Sequence, residues 1–442
     1  MAAKKGRKQV VRCLSCKKLR IKCDQVRPKC EYCAHTNREC IYPSDIPTSE
    51  TNAEKDSPVE DIRRDLPLTQ LTSVLSVSQL ELRALKFFND IGKLIVSYKN
   101  QRYIDNWEAV INPLSFQSPI VKKTLLATSS MLLSHFMNIN TVDSKVLTSS
   151  FSVDSSQEAQ AFFQTGTKYL QESIDERKHL LQDNSGFGIE RIIVNDLITF
   201  GCLLIYNHKL VPLISATGYD VISMAKAYSD TRKMYSQSMT GLRLESLFFP
   251  KSNPILTCPP ETNYWFTRVL EFEIVAFVSR NGNKSANMEE YFQALMDTFL
   301  LLKDACYAMA IVRFPFPLIA CLTNFSDKYR QLLRNGDEFA FRLLFIYSCL
   351  CVISRIPLNR NDNIFVDYIS EFKNIIFSKY GEFSYPIDRE LYHLVIRTNF
   401  VVDFGDMTRF HPLQQCEPLM DLSWLERYID SLEKTNTLLQ CI

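Results

Sequence analysis

Hydrophobic residues from about residue 79 to the C-terminus repeat with the period of an α-helix. The segment Ser78-Gln79-Leu80-Glu81 has the composition of a capping box, in which a serine hydroxyl and a glutamate side chain satisfy the first backbone N–H groups of a helix. The apolar series that follows is Ala84, Phe87, Phe88, Ile91, Leu94, Ile95 and Tyr98. This spacing of three and four residues predicts an amphipathic helix that begins next to Ser78.

The same period continues through the rest of the chain. Ser118-Pro119 predicts the start of the next helix, whose apolar face carries Val121, Leu125, Leu132, Leu133 and Phe136. Further helical stretches are predicted at about 157–182, 188–206, 218–239, 264–279, 287–312, 317–334, 337–355, 363–379, 388–401 and 420–435. Because alternating β patterns are lacking, we predict a mostly α fold class, with one large all-helical domain at residues 79–442.

Composition narrows the function classes. The chain has 12 glycines in 442 residues and contains neither G-x-x-x-x-G-K-[ST] nor G-x-G-x-x-G, so no phosphate-binding loop is predicted. It also lacks G-x-S-x-G and H-E-x-x-H, and we predict that it is not an enzyme. The longest apolar run, at residues 343–353, is well short of the ~20 residues that a bilayer span requires, so no membrane partner is predicted.

Residues 43–78 differ from the helical region that follows them. Pro43, Pro47, Pro58 and Pro67 lie among Ser, Thr, Asp and Glu, which is typical of a flexible or extended linker. No sustained heptad pattern appears there, and proline would interrupt a coiled coil. The linker is therefore not predicted to dimerise, and the chain either acts as a monomer or forms a homodimer through the helical domain.

Six cysteines at the N-terminal end form a triplet that occurs twice. They are Cys13, Cys16, Cys23, Cys30, Cys33 and Cys40, with the spacing C-x2-C-x6-C in each half. The N-terminal residues lack the apolar core of a signal peptide, so an oxidising compartment and disulfides are not expected. Paired C-x2-C spacing in a reducing compartment favours a structural zinc site.

The number of thiols leaves two zinc arrangements open. One zinc needs four ligands and would leave two cysteines spare, whereas two zincs would need two thiolates that bridge them. The duplication favours two Zn²⁺ ions, because each triplet then plays the same role. His35 is interpreted as a surface histidine, and the eight cysteines beyond residue 40 are interpreted as buried core residues.

Basic residues are concentrated around the first triplet. Residues 1–42 hold 12 Lys and Arg against 3 Asp and Glu, a net charge of +9, whereas the remaining 400 residues have 39 against 46, a net charge of −7. Such a basic head on an acidic body is typical of a nucleic-acid-binding protein. Lys18 and Arg20 are predicted to contact base edges, and Lys17 and Lys22 to contact phosphates, although all four could contact phosphates alone.

Residues 13–40 resemble the fungal two-zinc, six-cysteine binuclear cluster of galactose-regulator-type transcription factors. The resemblance lies in the cysteine spacing, in the basic insert that ends Lys22-Cys23-Asp24, and in the loop Arg27-Pro28-Lys29-Cys30. It implies that Cys13 and Cys30 bridge the two metals, with Cys16 and Cys23 completing one zinc site and Cys33 and Cys40 the other. Family members usually carry a basic residue where this chain has Leu19, so the base contacts here differ in part from the family pattern.

The resemblance also implies an architecture and a function. Residues 1–42 would be the DNA-binding domain with a basic arm, and residues 79–442 would resemble the fungal-specific regulatory domain. The function predicted is that of a nuclear, sequence-specific regulator of RNA polymerase II genes that reads CGG-type triplets in double-stranded DNA and recruits transcriptional coregulators. The alternative is a zinc-stapled nuclear scaffold protein that binds DNA without sequence preference.

Two segments of the helical domain have two interpretations each. A set of mostly aromatic residues is either ordinary core or the wall of an apolar effector pocket: Trp265, Phe314, Phe316, Leu318, Phe345 and Tyr347. The segment 417–430 mixes acidic and large apolar residues, which suits either an activation surface or a terminal amphipathic helix that packs on the bundle. Core packing and helix packing are the default interpretations.

Overall fold

The chain was analysed as a computed structural model, which describes residues 13–18, 21–36, 40–42, 78–138, 156–182, 189–205, 209–234, 257–281, 288–397 and 410–440. By contacts, the chain divides into two compact units, residues 1–64 and residues 65–442. The described residues form helices and no strand, which confirms the predicted mostly α fold class. Of the predicted linker, only Ser78 lies within the described residues, and the domain boundaries at residues 42 and 79 stay predictions.

The first unit contains two short helices, α1 (Leu14–Lys18) and α2 (Glu31–His35). Each begins directly after the first cysteine of a triplet and contains the second cysteine, so the sequence duplication is also a structural one. The two halves are joined by a backbone hydrogen bond from Leu14 N–H to the Ile41 carbonyl, at 2.9 Å.

The second unit is built of helices in consecutive order. Those up to residue 138 are α3 (Gln79–Phe87), a π-helical turn (Phe88–Gly92), α4 (Lys93–Val96), α5 (Gln101–Asn106), a second π-helical turn (Trp107–Ile111), α6 (Asn112–Gln117) and α7 (Pro119–Asn138). The middle ones are α8 (Ser156–Gln182), α9 (Ile189–Ile205), α10 (Val221–Met234), α11 (Thr267–Asn281) and α12 (Met288–Val312). The last are α13 (Phe316–Asn324), α14 (Asp327–Arg334), α15 (Glu338–Ile353), α16 (Ile364–Tyr380), α17 (Pro386–Arg397), α18 (Pro412–Cys416), a 3₁₀ turn (Glu417–Leu419) and α19 (Leu425–Gln440).

Local sequence signals explain where several of these helices begin. The capping box is confirmed: the Ser78 hydroxyl accepts a hydrogen bond from Glu81 N–H, and Ser78 N–H donates to the Glu81 carboxylate. Helix α7 begins at Pro119 as predicted, but the Ser118 hydroxyl makes no hydrogen bond within the described residues. The single helix predicted at 317–334 is two helices, because the Ser326 hydroxyl accepts from Tyr329 N–H and starts a new helix there.

Helices α7 and α8 pack closely over much of their length. The contact is close at Gly166, where an added Cβ would lie 2.7 Å from Met131 Cγ and 3.1 Å from the Ala127 carbonyl oxygen. A side chain larger than hydrogen at residue 166 would therefore push the two helices apart.

Helix α15 is the centre of the second unit. Its residues from Phe339 to Ile353 are buried with the exception of Phe341, and it packs against α12, α13, α14, α16, α17 and α18. A helix that is apolar on all sides is stable only when neighbours surround it, which accounts for its central position.

Arg342 is the charged residue in the middle of this apolar helix. Its guanidinium donates from Nη2 to Glu273 Oε2 on α11 and from Nε to Asp388 Oδ2 on α17, both at 2.7 Å. The Tyr385 ring lies over the guanidinium, with the centroid 3.5 Å from Cζ. The cluster therefore fixes α11, α15 and α17 against one another through directional contacts.

The two open interpretations of the helical domain are resolved in favour of packing. Phe314, Phe316, Leu318, Phe345 and Tyr347 are buried in the main core, while Trp265 lines a cavity. Helix α19 packs on α11, and its Leu425, Ile429 and Leu432 are buried. The seven described cysteines beyond residue 40 are buried and free, as predicted: Cys202, Cys258, Cys306, Cys321, Cys349, Cys351 and Cys416. Among the described helices, none combines the length and apolar character needed to cross a bilayer.

Candidate metal centre and nucleic-acid interface

Each cysteine triplet is held by the start of a short helix. Cys13 precedes α1, and its sulfur accepts a hydrogen bond from the backbone N–H of Cys16 at 3.5 Å. Cys30 occupies the equivalent N-cap position of α2, with Cys33 one turn later. The Asp24 carboxylate accepts from Glu31 N–H at 3.0 Å and so caps α2. This arrangement points the first two sulfurs of each triplet to the same side of the helix start.

The sulfur atoms fall into two groups of four. Cys13, Cys16, Cys23 and Cys30 have their Sγ atoms within 4.8 Å of one another, and so do Cys13, Cys30, Cys33 and Cys40. Two thiols, those of Cys13 and Cys30, belong to both groups. The groups coincide with the two ligand sets that the family resemblance implies.

The sulfur–sulfur distances fit tetrahedral zinc. Four thiolates at the usual Zn–S distance of about 2.3 Å have their sulfur atoms about 3.8 Å apart. The Cys13–Cys30 and Cys13–Cys33 distances are 3.8 Å, and the Cys16–Cys30 distance is 3.7 Å. The spacing is far beyond an S–S bond of about 2.05 Å, so these thiols are not disulfides.

The electrostatics of the cluster also fit a bound cation. Burial raises the pKa of Cys13 to about 12 and raises that of Cys30 too, so these thiols would stay protonated without a nearby positive charge. At Cys23 burial is opposed by hydrogen bonds from the backbone N–H groups of Cys13 and Gln25, and its pKa falls to about 7. At Cys40, a 3.3 Å hydrogen bond from Cys30 N–H outweighs burial and lowers the pKa. Zinc binds the thiolate form, so a dication would supply the charge that the buried sulfurs need.

Tyr42 is a further residue of the centre that sequence reasoning missed. Its side chain is almost fully buried against the cysteines, and its hydroxyl lies 3.8 Å from Cys23 Sγ. The hydroxyl donates to the Val26 carbonyl at 3.1 Å, and the Arg27 guanidinium lies over the ring at 4.9 Å from its centroid. No metal-ligand spacing points to Tyr42; its position two residues after the last cysteine is the one signal in the sequence.

The predicted DNA-contacting residues are described only in part. Lys22 is exposed, next to Cys23. Lys17 and Lys18 belong to the backbone of α1, but their side chains lie outside the described part of the structure, as does the whole of Arg20. His35 is exposed and belongs to neither thiol group, in agreement with its interpretation as a surface histidine.

Comparison with known proteins agrees with this geometry. Residues 11–49 match the family described as the fungal Zn(2)-Cys(6) binuclear cluster domain. No curated protein sequence and no solved structure matches the chain. The family is a DNA-binding domain of transcription factors rather than an enzyme, and it binds two zinc ions. The chain thus carries a fungal Zn(2)-Cys(6) binuclear cluster domain at residues 11–49 and is a zinc-dependent, DNA-binding transcription regulator.

Proposed function

We propose that this protein is a sequence-specific regulator of RNA polymerase II genes that reads a CGG-type triplet in the major groove of double-stranded DNA. The observation that carries the proposal is the pair of thiol groups that share Cys13 and Cys30. A binuclear cluster of this kind holds two halves of a small segment together, and such a segment has too little apolar surface to fold alone.

All six cysteines are zinc ligands in this proposal. Cys13 and Cys30 bridge the two ions, Cys16 and Cys23 complete one site, and Cys33 and Cys40 complete the other. The bound ions supply structural cross-links rather than reaction chemistry, because four thiolates leave a zinc ion no open position for a substrate.

The basic insert between Cys16 and Cys23 is the reading surface in this proposal. Lys18 and Arg20 contact base edges, where a lysine or arginine can donate to guanine O6 and N7. Lys17 and Lys22 contact phosphates, which supply affinity without sequence preference. The exposure of Lys22 and the net charge of +9 over residues 1–42 support this assignment.

The second unit, by this proposal, is a regulatory domain of the kind that follows such clusters in fungal transcription factors. It receives coregulators and provides the surface through which two copies pair, since the linker lacks a coiled-coil pattern. Transcription factors with this zinc domain are generally nuclear, and we infer that this protein acts in the nucleus.

Selection of binding sites from random double-stranded DNA tests the proposal. The zinc-loaded full chain is expected to enrich CGG-containing sites, and the spacing of two triplets in the enriched sites would give the oligomeric state. Lys18→Ala and Arg20→Ala are expected to relax the preference at one or two positions at a cost of about 1–3 kcal/mol, whereas Lys22→Ala should weaken all sites equally.

Lys29→Ala is the matched control, because it removes the same charge from the first unit outside the insert. Equal weakening of all sites by Lys18→Ala, Arg20→Ala and Lys29→Ala would contradict base reading by the insert. Selection that enriches no sequence would instead support the scaffold alternative, in which the basic head binds DNA without preference.

A further inference from the structure

A cavity of about 400 Å³ lies in the second unit beside the C-terminal helix. Its wall contains the aromatic side chains of Tyr264, Trp265 and Tyr307 and the apolar side chains of Leu413 and Leu425. Trp265 and Leu413 are 4% and 1% exposed, so the floor of the cavity belongs to the packed core. The volume lies within the range of about 300–1,000 Å³ that is typical of small-molecule sites.

Hydrogen-bond donors are concentrated in this wall. The Trp265 indole N–H is buried and makes no hydrogen bond within the described part of the chain. An indole N–H is a donor only, and leaving it unpaired in a buried position costs free energy that an acceptor on a ligand would recover. Arg268, also in the wall, pairs through Nη2 with Glu426 at 2.8 Å, and a guanidinium has five N–H donors.

His411 adds a third donor. Its Nδ1 accepts a hydrogen bond from Gln414 N–H at 3.3 Å, and burial lowers the pKa of the imidazole. In the neutral ring that results, the proton lies on Nε2, which is then a donor. The carboxylate in the wall, that of Glu417, is on an exposed residue, so the buried part of the cavity is rich in donors and poor in acceptors.

We propose that this cavity binds a small planar carboxylic acid, whose apolar body contacts the aromatic wall and whose carboxylate accepts hydrogen bonds from Trp265 and Arg268. The wall is formed by the turn before α11, the C-terminal part of α12, the start of α18 and the first residue of α19. A ligand here contacts all four elements, so its binding stabilises the docking of the C-terminal helix on the core. This inference does not depend on the DNA-binding proposal.

The test uses the zinc-loaded full chain and three probes that share one ring system: 2-naphthoate, 2-naphthamide and 2-naphthylmethylamine. Isothermal titration calorimetry is expected to give one saturable site for 2-naphthoate, weaker binding of the amide and no binding of the amine. Bound 2-naphthoate should also raise the unfolding temperature. Trp265→Phe, which removes the N–H donor, should weaken 2-naphthoate binding about tenfold, and Ala310→Phe should abolish it by filling the cavity.

Trp424→Phe is the matched control, since the Trp424 indole donates to the Asp421 carbonyl at 2.8 Å and lies outside the cavity wall. It should leave the affinity for 2-naphthoate unchanged. The proposal is overturned if 2-naphthoate gives no saturable binding, if the amine binds as tightly as the acid, or if Ala310→Phe leaves binding intact. Ala310→Phe decides the question if Trp265→Phe does not fold.

Discussion

Arg342 and Glu273 form an ion pair in the core of the second unit, with Nη2 and Oε2 2.7 Å apart and both residues at most 2% exposed. Asp388 completes the cluster, so two buried carboxylates surround one guanidinium. Burial raises the pKa of Glu273 and of Asp388, and the Arg342 charge opposes that rise. The cluster is therefore stable as a unit and costly to break at one member.

Arg342→Met should destabilise the second unit strongly. Methionine has a similar length but leaves two buried carboxylates without their cation, and breaking a buried pair in this way costs about 3–5 kcal/mol. Denaturant unfolding of the full chain, followed by circular dichroism, measures the loss. Arg268→Met is the control, because the Arg268–Glu426 pair is well exposed and should contribute about 1 kcal/mol or less. Equal losses for the two variants would contradict a special role for the buried cluster.

The stability deficit of Arg342→Met should shrink as the pH falls from about 7 toward 5. A carboxyl group whose pKa is higher in the folded than in the unfolded state binds its proton more tightly when folded, so lowering the pH through that range adds stability. Burial raises both carboxyl pKa values, and the variant lacks the charge that opposes the rise. Unfolding free energies at several pH values measure the effect.

The control for this pH effect combines Arg342→Met with Glu273→Gln and Asp388→Asn. This triple variant has no carboxyl group left in the cluster, so its stability relative to the wild type should lack the gain at low pH. A deficit of Arg342→Met that stays constant with pH would show that the two carboxylates are not the cause.

Gly166→Ala and Gly201→Ala should change stability in opposite directions. Both glycines lie within helices, where alanine is favoured over glycine by about 0.5–1 kcal/mol. At Gly201 no atom lies within 4 Å of an added Cβ, so we expect stabilisation of that size. At Gly166 the Cβ would meet Met131 Cγ at 2.7 Å and backbone atoms of α7, so we expect a net loss. Comparison of the two unfolding temperatures checks this, and a gain at both positions would disprove the close approach of α7 and α8.

Tyr42→Phe should weaken zinc binding without removing a ligand. The variant loses the hydroxyl that donates to the Val26 carbonyl and lies 3.8 Å from Cys23 Sγ. Loss of an outer contact of this kind typically costs about 10- to 100-fold in metal affinity. Competition with a chromophoric chelator measures the affinity. Tyr32→Phe is the control, because Tyr32 is exposed, and an equal effect of both variants would indicate that Tyr42 has no particular role.

Zinc content should depend on which cysteine is changed. The wild-type chain should bind two zinc ions, and Cys13→Ala should lower the content of both sites because its thiol belongs to both groups. Cys16→Ala removes a thiol from one group only, so we expect it to retain more zinc. Cys349→Ala, in the core of the second unit, should have no effect on zinc. Elemental analysis after desalting gives the stoichiometry, and equal zinc loss for Cys13→Ala and Cys16→Ala would argue against a bridging role.

The sequence predicts the helices of this protein well because their signals are local. The capping box at Ser78 and the three- and four-residue spacing after it depend on neighbours along the chain, and the structure has the helix where they predict it. The break at Ser326 was missed because the apolar pattern continues through it. The grouping of Cys13 with Cys30 follows from the duplication, since equal spacing gives equal local geometry.

Contacts between distant segments were not predictable in the same way. Arg342, Glu273 and Asp388 are separated by tens of residues, and nothing in their local sequence distinguishes them from surface charges. The role of Tyr42 likewise depends on a loop that returns its ring to the first triplet. Trp265 was singled out among aromatic residues, but only the fold separates it from the five that pack in the core.

The membership of Cys13 and Cys30 in both thiol groups has a consequence for how the first unit responds to metal supply. Loss of one ion would strip its neighbour of charge neutralisation at two shared sulfurs, so we expect the ions to be gained and lost together. Occupancy would then change steeply over a narrow range of free zinc, and half-loaded molecules would be rare. DNA binding would follow the same cooperative curve, which makes the first unit an all-or-none element with respect to zinc.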